Sequence, residues 1–275
     1  MNPVNGSGMK RAALLNDLSC FGKCSLTVAA PVVSAWGVEA VPLPTAVLSS
    51  QTAFPGYIMR DLTREMEEFS AQWETLGLEF DCIYTGFFAN GAQIDFARRF
   101  IERFAKDDTL ILVDPVLGDN GALYGCFGPE QVEKMRQLCR MAHVITPNRT
   151  EAALLTGLPM DAPAEELLDA LREQLGVENI IVTGVHRGRE IGYLARLGER
   201  TVSIQYPRVE RPLHGTGDVF ASALCGALLS GAEAPAALER AAEFCNACVE
   251  KTAQRQPAHW YGLAFEDVLK ERNAL

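Results

Sequence analysis

The sequence contains no apolar run long enough to cross a bilayer. Its longer apolar runs, such as residues 26–33, reach about eight residues, whereas a membrane-spanning helix requires roughly 20. The chain is also not basic, because its formal net charge is −10 at pH 7. Binding along nucleic-acid phosphates or an anionic membrane surface requires a basic face. We therefore expect neither nucleic acid nor membrane among the partners of this protein.

The sequence also lacks a secretory signal and a disulfide framework. The first ten residues contain no apolar stretch, and residues 1–9 are predicted to be a flexible leader or tag-like segment. Eight cysteines in 275 residues are too dispersed for a small secreted disulfide scaffold, which favours reduced thiols in the cytoplasm. Cys245 and Cys248 have no second pair at zinc spacing and lie in a helical pattern, so we expect buried structural thiols there.

Two common phosphate-binding fingerprints are missing as well. No third glycine follows Gly215 and Gly217 at the spacing of a dinucleotide-binding fold. Gly22-Lys23 lacks the earlier glycine of a P-loop, and Cys24 stands where that motif needs Ser or Thr. A Rossmann dehydrogenase and a P-loop nucleotidase are therefore disfavoured.

What the sequence does contain is an alternation of short apolar runs and longer amphipathic stretches. This pattern is typical of parallel strands joined by crossover helices. Strands are predicted at 12–15, 41–43, 82–85, 110–113, 143–146 and 180–183, with an antiparallel hairpin at 190–197 and 201–205. Helices are predicted at 26–36, 61–76, 92–104, 129–142, 150–155, 164–175 and 218–229. We expect an α/β fold in one domain, residues 10–275, with a central, mostly parallel sheet and helices on both faces.

Polar or glycine-bearing segments follow most of the predicted strands. Ligands of open parallel sheets bind beyond the carboxyl ends of the strands, so these segments are expected to meet at one edge. They are Asn16-Asp17, Thr85-Gly86-Phe87, Asp114-Pro115, Thr146-Pro147-Asn148 and Thr183-Gly184.

The strongest motif is Gly215-Thr216-Gly217-Asp218, at the start of the last predicted crossover helix. Two glycines permit a tight turn in which free N–H groups and the positive end of the helix dipole face one point, which suits a phosphate. Asp218 can then accept a proton from an attacking hydroxyl while the amides stabilise the transferred phosphoryl group. The alternative is that Asp218 is an ordinary acidic residue in the first turn of a helix.

Two further segments carry carboxylates at strand ends. Asp114 and Asp119 can flank a magnesium–phosphate unit, with direct and water-mediated contact both open, and a simple polar turn is the alternative. Asn148 and Glu151 can hold metal-bound water near phosphates, or form a capping box at a helix start, and the two roles are compatible.

Taken together, the motifs DPVLGD, ITPNRTEAALLTG and HGTGDVFASAL resemble the pyridoxal kinase branch of the ribokinase-like superfamily. The resemblance extends from about residue 12 to about residue 249. It implies a ribokinase-like three-layer sandwich that works as a homodimer with ATP, Mg²⁺ and often a monovalent cation, and that phosphorylates the 5′-hydroxymethyl group of a B6 vitamer.

The resemblance also implies roles for individual residues. Asp218 is the expected base, Gly215 and Gly217 form the expected anion hole, and Thr216 is expected among the residues that bind the cofactor. The magnesium and phosphate region is expected to contain Asp114, Asp119, Asn148 and Glu151, with Asp114 and Glu151 as metal-side carboxylates. The nucleotide contacts are expected at Thr146, Thr183 and Gly184, with residues 209–213 beside the adenine and ribose. The vitamer contacts are expected at Ser49, Thr52 and Phe87, and at either Asn16 or Asp17.

Two departures keep other substrates open. Ser50 and Gln51 stand where the family carries asparagine and histidine, and Asp17 resembles the residue that hydroxymethylpyrimidine kinases carry. A kinase acting on hydroxymethylpyrimidine is therefore the main alternative. A sugar kinase fits the motif set less well, and a non-catalytic binding protein would be expected to have lost part of the Asp218 motif.

Overall fold

A computed structural model describes residues 8–125, 127–255 and 260–273. Nine strands in these ranges form one sheet, in the order β11-β10-β9-β8-β5-β4-β1-β2-β3. The strands are β1 Arg11–Ser19, β2 Glu39–Leu48, β3 Met59–Asp61, β4 Cys82–Thr85, β5 Leu110–Val113, β8 Val144–Ile145, β9 Asn179–Arg187, β10 Glu190–Leu197 and β11 Arg200–Pro207. A separate small hairpin consists of β6 Gly118–Asp119 and β7 Ala122–Leu123.

The middle of the sheet is parallel and both edges are antiparallel. β2, β1, β4, β5, β8 and β9 pair in parallel, whereas β3 at one edge and the β10–β11 pair at the other run antiparallel. The predicted hairpin at the sheet edge is therefore present. The carboxyl ends of the parallel strands lie at a common edge, where the polar segments were expected to meet.

Helices cover both faces of the sheet. One face carries α1 Leu26–Ala35, α7 Thr216–Leu229, α8 Ala234–Gln254 and α9 Phe265–Asn273, and the other carries α2 Thr63–Thr75, α3 Gly91–Phe104, α4 Pro129–Cys139, α5 Arg149–Thr156 and α6 Ala164–Leu175. Successive residues of β1 alternate between the two cores: Ala13 and Leu15 join one, and Ala12 and Leu14 join the other. The three-layer α/β prediction is confirmed, because a strand buried on both faces needs a helical layer on each side.

Some element boundaries differ from the predicted ones. β2 is much longer than 41–43, and its two prolines, Pro42 and Pro44, lie where β3 does not pair with it. Proline cannot donate to a ladder, so it is tolerated at an open edge. β3 and the β6–β7 hairpin were not predicted, because two- and three-residue strands carry no usable periodicity.

The last crossover helix packs closely against its neighbour. A Cβ atom on Gly226 of α7 would lie 2.4 Å from Cγ of Trp36, at the end of α1. The small residues of α7 thus permit close packing against α1 as well as against the sheet. This packing near the carboxyl end of α7 fixes the helix against α1, and the amino end of α7 lies at the edge where the polar segments meet.

The predicted leader is only partly covered by the described ranges. Residues 1–7 lie outside them, so the leader and the domain boundary stay predictions. Within the described ranges, no helix is both long and apolar enough to cross a membrane.

Candidate active site

A large cavity of about 1220 Å³ opens at the carboxyl edge of the parallel strands. With one exception, the residues predicted for the site all line it. They are Asn16, Asp17, Thr52, Phe87, Asp114, Asp119, Thr146, Asn148, Glu151, Thr183, Gly184, Gly215, Thr216, Gly217 and Asp218. The topology therefore brings together segments that are up to about 200 residues apart in the chain.

Ser49 is the exception. It lies at the exposed end of β2, outside the set of residues that line the cavity. Its hydroxyl oxygen accepts a hydrogen bond from the backbone N–H of Ile58 at 2.9 Å and so closes the loop before β3. The position of Ser49 gives no support to the vitamer contact expected from the family resemblance.

The turn before α7 has the geometry of an anion site. Gly215 is the N-cap residue of α7 and has φ +81°, in the left-handed region that favours glycine. The helix extends for 14 residues from Thr216, so its first N–H groups and the positive end of its dipole face the cavity. A phosphoryl group at this point would meet several N–H donors at once.

Asp218 lies in the first turn of α7, half-buried beside this anion site. Burial raises its pKa to about 6, helped by the negative charge of Asp17 and opposed by the backbone N–H of Ser25 and the amide of Asn16. A carboxylate with a pKa near neutrality is suited to accept a proton and release it again. The position and the raised pKa of Asp218 are those that a general base at this site would need.

Asp114 faces the amino end of α7 from the end of β5. A Cβ atom on Gly217 would lie 3.9 Å from its Oδ2, and its Oδ1 accepts a hydrogen bond from the Thr146 hydroxyl at 3.1 Å. Burial and the nearby charge of Asp218 raise the pKa of Asp114 to about 7. Two carboxylates held this close favour a cation between them and the phosphates.

Glu151 and Asn148 form the capping box of α5. Glu151 Oε2 accepts the backbone N–H of Asn148 at 2.8 Å, and Asn148 Oδ1 accepts the backbone N–H of Glu151 at 2.9 Å. The other Glu151 oxygen accepts the N–H of Leu117 at 3.2 Å, and Asn148 Nδ2 donates to the carbonyl of Gly118 at 2.9 Å. The box therefore ties α5 to the short hairpin that carries Asp119.

The capping role bears on how Glu151 meets a metal. Both of its oxygens already accept backbone hydrogen bonds, and burial together with the charge of Asp114 raises its pKa well above the usual range. A cation near Asp114 would relieve this repulsion, and Glu151 would reach it best through water. Across the described ranges, no three His, Cys, Asp or Glu side chains cluster as a complete metal site.

The cavity wall opposite α7 comes from β9. Thr183 forms a bridge with Asn148, and its N–H donates to the carbonyl of Pro147 at 2.9 Å. Gly184 has φ +67° and lies where the β9–β10 register shifts, so it forms a bulge inside the strand. Thr183 and Gly184 were expected after the strand, and the bulge explains why the strand continues past them.

Val209 and Leu213 also line the cavity, as expected for the stretch beside a nucleotide base. Tyr193 of β10 and Phe220 of α7 line the cavity too, and their rings stack with centroids 4.3 Å apart. These four side chains give the cavity an apolar part of its lining, which would suit a nucleotide base.

Phe87 forms another part of the cavity wall. Its ring packs against Phe127, with centroids 6.1 Å apart, and against the small cluster that contains Ala46 and Leu48. Phe87 is thus both a packing residue and a cavity wall, which are the two roles that the sequence left open. Thr52 is exposed on the loop after β2 and also lines the cavity.

Gln51, which stands where the family carries histidine, has a structural role in this chain. It is buried, and its Nε2 donates to the backbone carbonyl of Tyr261 at 3.0 Å. A Cβ atom on Gly22 would lie 2.5 Å from Gln51 Cγ, so glycine is required there. Gln51 thus contacts the segments that carry Gly22 and Tyr261 as well as its own loop. Its amide nitrogen is already used in a hydrogen bond within the protein.

Asn16 and Asp17 both line the cavity from within β1, which continues to Ser19. The Asp17 carboxylate accepts a hydrogen bond from the Ser19 hydroxyl at 2.8 Å, and burial raises its pKa. Asn16 Oδ1 accepts the backbone N–H groups of Asp17 at 3.0 Å and Phe87 at 2.8 Å. The structure thus places both candidates in the lining of the cavity.

Several lining residues were not predicted. They include Cys24, Ser25, Tyr57, Met59, Tyr124, Arg149 and His186. Most lie in loops or in the unpredicted β3 and β6–β7 elements, where periodicity gives no signal. Lys23 and Ser25 have positive φ values of 37° and 54°, which marks their loop as conformationally special only once coordinates are known.

His214 and the pair Cys245 and Cys248 make structural contacts within the protein. The imidazole of His214 meets the edge of the Trp260 ring, with centroids 5.8 Å apart. Cys245 and Cys248 are buried free thiols in α8, so the prediction of structural thiols agrees with the structure.

Comparison with known proteins supports a kinase site. The chain matches the phosphomethylpyrimidine kinase family over residues 32–262. A Bacteroides thetaiotaomicron protein described as a phosphomethylpyrimidine kinase, solved with pyridoxal, is 38% identical, with a TM-score of 0.90 and 96% of each chain covered. The pyridoxal kinase of Lactobacillus plantarum is 34% identical, with a TM-score of 0.89, covering 97% of this chain and 98% of that one.

A curated relative agrees with these structures. The pyridoxine/pyridoxal/pyridoxamine kinase of Bordetella bronchiseptica is 28% identical over 249 residues, which are 85% of this chain and 86% of that protein. The family match spans most of the chain, and the motifs that carry it line one cavity. The chain therefore belongs to the phosphomethylpyrimidine kinase family, and its fold is that of the ribokinase-like pyridoxal kinases.

Proposed function

We propose that the protein is an ATP-dependent kinase that phosphorylates the 5′-hydroxymethyl group of pyridoxal, pyridoxine or pyridoxamine. The observation that carries the proposal is the position of Asp218, beside the anion site formed by the amino end of α7. Its near-neutral pKa matches the requirement of a base that must lose its proton after each turnover.

The reaction follows from this arrangement. The hydroxymethyl oxygen attacks the γ-phosphorus of ATP, and its proton passes to Asp218. The bond from the γ-phosphorus to the bridging oxygen breaks, and ADP leaves with that electron pair. The N–H groups of the Gly215–Gly217 turn stabilise the charge that gathers on the transferred group.

The cation site is proposed at the carboxylate end of the cavity. Asp114 would hold Mg²⁺, and Glu151, Asn148 and Asp119 would support its water shell. When bound, Mg²⁺ neutralises charge on the phosphates. The raised pKa values of Asp114 and Glu151 support this, because both carboxylates lack a compensating positive charge.

The nucleotide is proposed to lie along the β9 wall. Thr146, Thr183 and Gly184 would contact its phosphates and ribose, and residues 209–213 would lie beside the base. A monovalent cation and a homodimeric assembly are proposals that rest on the family resemblance, and a cytoplasmic location is a proposal that rests on the dispersed cysteines.

A second candidate substrate is hydroxymethylpyrimidine. Asp17 lines the cavity close enough to Asp218 for its charge to raise the pKa of Asp218, and glutamine stands at position 51 where the family carries histidine. Both features suit the pyrimidine, which presents an exocyclic amino group as a donor to a carboxylate. The family match itself carries the phosphomethylpyrimidine kinase description.

The test is a competition assay. Purified protein, MgATP and equal concentrations of pyridoxal and hydroxymethylpyrimidine are mixed, and both phosphorylated products are quantified by mass spectrometry. We expect the higher kcat/KM for the B6 vitamer. A higher kcat/KM for the pyrimidine would move the assignment to the second candidate, and no turnover of either substrate would remove the proposed function.

A further inference from the structure

Lys23, in the loop before α1, contacts the segment that begins α9. Its Nζ donates to Glu266 Oε2 at 2.6 Å and lies 3.5 Å from the carbonyl oxygen of Leu263. The same ammonium group lies 5.4 Å from the centroid of the Phe265 ring. The Lys23 side chain is only 24% exposed, and three contacts restrict it more than a single surface ion pair would.

The backbone of Lys23 lies between two glycines. A Cβ atom on Gly262 would lie 2.3 Å from Lys23 Cβ and 3.0 Å from its carbonyl oxygen. The same oxygen lies 2.7 Å from the point where a Cβ atom on Gly215 would be placed. Residue 23 therefore fills the space between the C-terminal segment and the turn before α7.

The same loop reaches Asp218 through Ser25. The backbone N–H of Ser25 donates to the Asp218 carboxylate and opposes the rise of its pKa. Lys23 and Ser25 have φ values of +37° and +54°, which few residues other than glycine adopt. A loop with two such residues keeps its shape only where surrounding contacts support it. The Lys23 side chain provides such contacts at α9.

The loop at 22–25 thus touches both parts of the proposed transfer site. Lys23 packs against the anion site at Gly215, and Ser25 donates to Asp218. Phosphoryl transfer depends mainly on positioning and on preorganised charge. A small displacement of this loop would therefore lower the rate of transfer more than the affinity for either substrate.

We propose that Lys23 is a positioning residue, which holds the anion site and Asp218 in their relative positions by fixing the loop at 22–25 to the amino end of α9. The inference rests on the proposed kinase function. Lys23 is not among the described residues that line the cavity, so it acts through Gly215 and Ser25 and not by touching a substrate. Glu266 is the charged partner that fixes the direction of the lysine side chain.

Substitutions of the ion pair test this role. Lys23→Met keeps most of the length of the side chain and removes its charge, and Glu266→Gln removes the charge of the partner. The double variant combines the two changes, and Lys23→Arg keeps the charge. For each variant we measure kcat, KM for pyridoxal, KM for ATP and the midpoint of thermal unfolding.

Lys251→Met and Glu271→Gln are the matched controls. Lys251 Nζ lies 2.5 Å from Glu271 Oε1, so this pair also joins a lysine to a glutamate of α9, but the lysine lies on α8. Neither residue is among those that line the cavity, and neither belongs to the loop at 22–25. These variants therefore measure the effect of weakening the attachment of α9 alone.

Lys23→Met is expected to lower kcat by about 3- to 10-fold, with both KM values within about twofold of wild type. Glu266→Gln should lower kcat in the same way but less. The double variant should be no worse than Lys23→Met, because its second change removes a partner that is already lost. Lys23→Arg should retain at least half of the wild-type kcat, and both controls should match wild type.

Four results would overturn the proposal while leaving the kinase function in place. The kcat of Lys23→Met could equal that of wild type, or the losses from Lys23→Met and Glu266→Gln could simply add in the double variant. The controls could lose as much kcat as the Lys23 variants, which would assign the effect to α9 as a whole. A rise in either KM with unchanged kcat would assign Lys23 to substrate binding.

Two further outcomes have a defined reading. If Lys23→Met does not fold, the comparison of Glu266→Gln with Glu271→Gln decides the question, and equal kcat values in these two variants would overturn the proposal. A wild-type protein that phosphorylates no B6 vitamer would instead remove the proposed function itself.

Discussion

The carbonyl oxygen of Lys23 lies only 2.7 Å from the point where a Cβ atom on Gly215 would be placed. Gly215 also has φ +81°, so two independent constraints require glycine at the N-cap of α7. The backbone of the loop before α1 therefore packs directly against the turn before α7, although the two segments are far apart in sequence.

Gly215→Ala is therefore expected to be more harmful than an ordinary glycine substitution. A left-handed alanine costs about 1–2 kcal/mol, and the Lys23 contact adds further strain and displaces the anion site. Urea unfolding and kcat measure the two effects. Gly188→Ala is the control, since Gly188 has φ +63° and a Cβ atom added there would meet no neighbour within 4 Å. Equal losses of stability in the two variants would contradict this reading.

Asp218→Asn should remove most of the activity without unfolding the protein. Loss of a general base lowers kcat by about 10²- to 10⁴-fold, while the isosteric amide removes a buried charge and should not destabilise the fold. Steady-state kinetics with pyridoxal and thermal unfolding measure the two outcomes. Asp107→Asn, an exposed change in the loop after α3, is the control and should match wild type. A kcat of Asp218→Asn near that of wild type would show that another group takes the proton.

The activity should fall on the acid side with an apparent pKa near that of Asp218. Asp218 must be ionised to accept the proton, and its pKa is raised to about 6, so kcat/KM should drop roughly tenfold per pH unit below that value. The measurement is kcat/KM for pyridoxal between pH 4.5 and 8, with stability checked by preincubation at each pH. A profile that stays flat down to pH 5 would argue against Asp218 as the base.

Asp114 should make the ligand-free protein less stable as the pH rises. Its pKa is raised from 3.8 to about 7 in the folded state, so the folded protein binds more protons than the unfolded one between these values. Stability is therefore favoured at low pH and lost as the pH rises through about 7.

Asp114→Asn removes this dependence. Relative to wild type, the variant should gain on the order of 1–2 kcal/mol of unfolding free energy between pH 5 and pH 8, measured by urea unfolding without nucleotide or metal. The same variant should lose most of its activity, because the proposed metal carboxylate is gone. Asp107→Asn should show no such gain, and a variant of Asp114 that tracks wild type at both pH values would contradict the raised pKa.

The alternation of strands and helices was readable in the sequence because strands covered on both faces produce continuous apolar runs. The runs at 82–85 and 110–113 coincide with β4 and β5. Strand length was less predictable. β2 contains two prolines that only an unpaired edge tolerates, and β9 continues past Gly184 through a bulge, and neither feature is visible without knowing the neighbouring strand.

The cavity lining likewise includes residues that the sequence predicts and residues that only the tertiary structure reveals. Glycine motifs and strand-end carboxylates predicted most of its lining, because parallel strands bring their carboxyl ends together whatever the loop details. The hydrogen bond from Gln51 to Tyr261 and the role of Ser49 in its own loop depend on contacts between segments that local sequence does not relate.

The sequence by itself determined the α/β layering and the position of Asp218 behind a glycine turn, since periodicity and turn chemistry are local properties. Only the tertiary structure decided which way the Asn16 amide faces and how far the pKa values of Asp114 and Asp218 rise. Those quantities depend on burial and on charges from distant parts of the chain, which are set when the sheet brings β1, β5 and α7 to one edge.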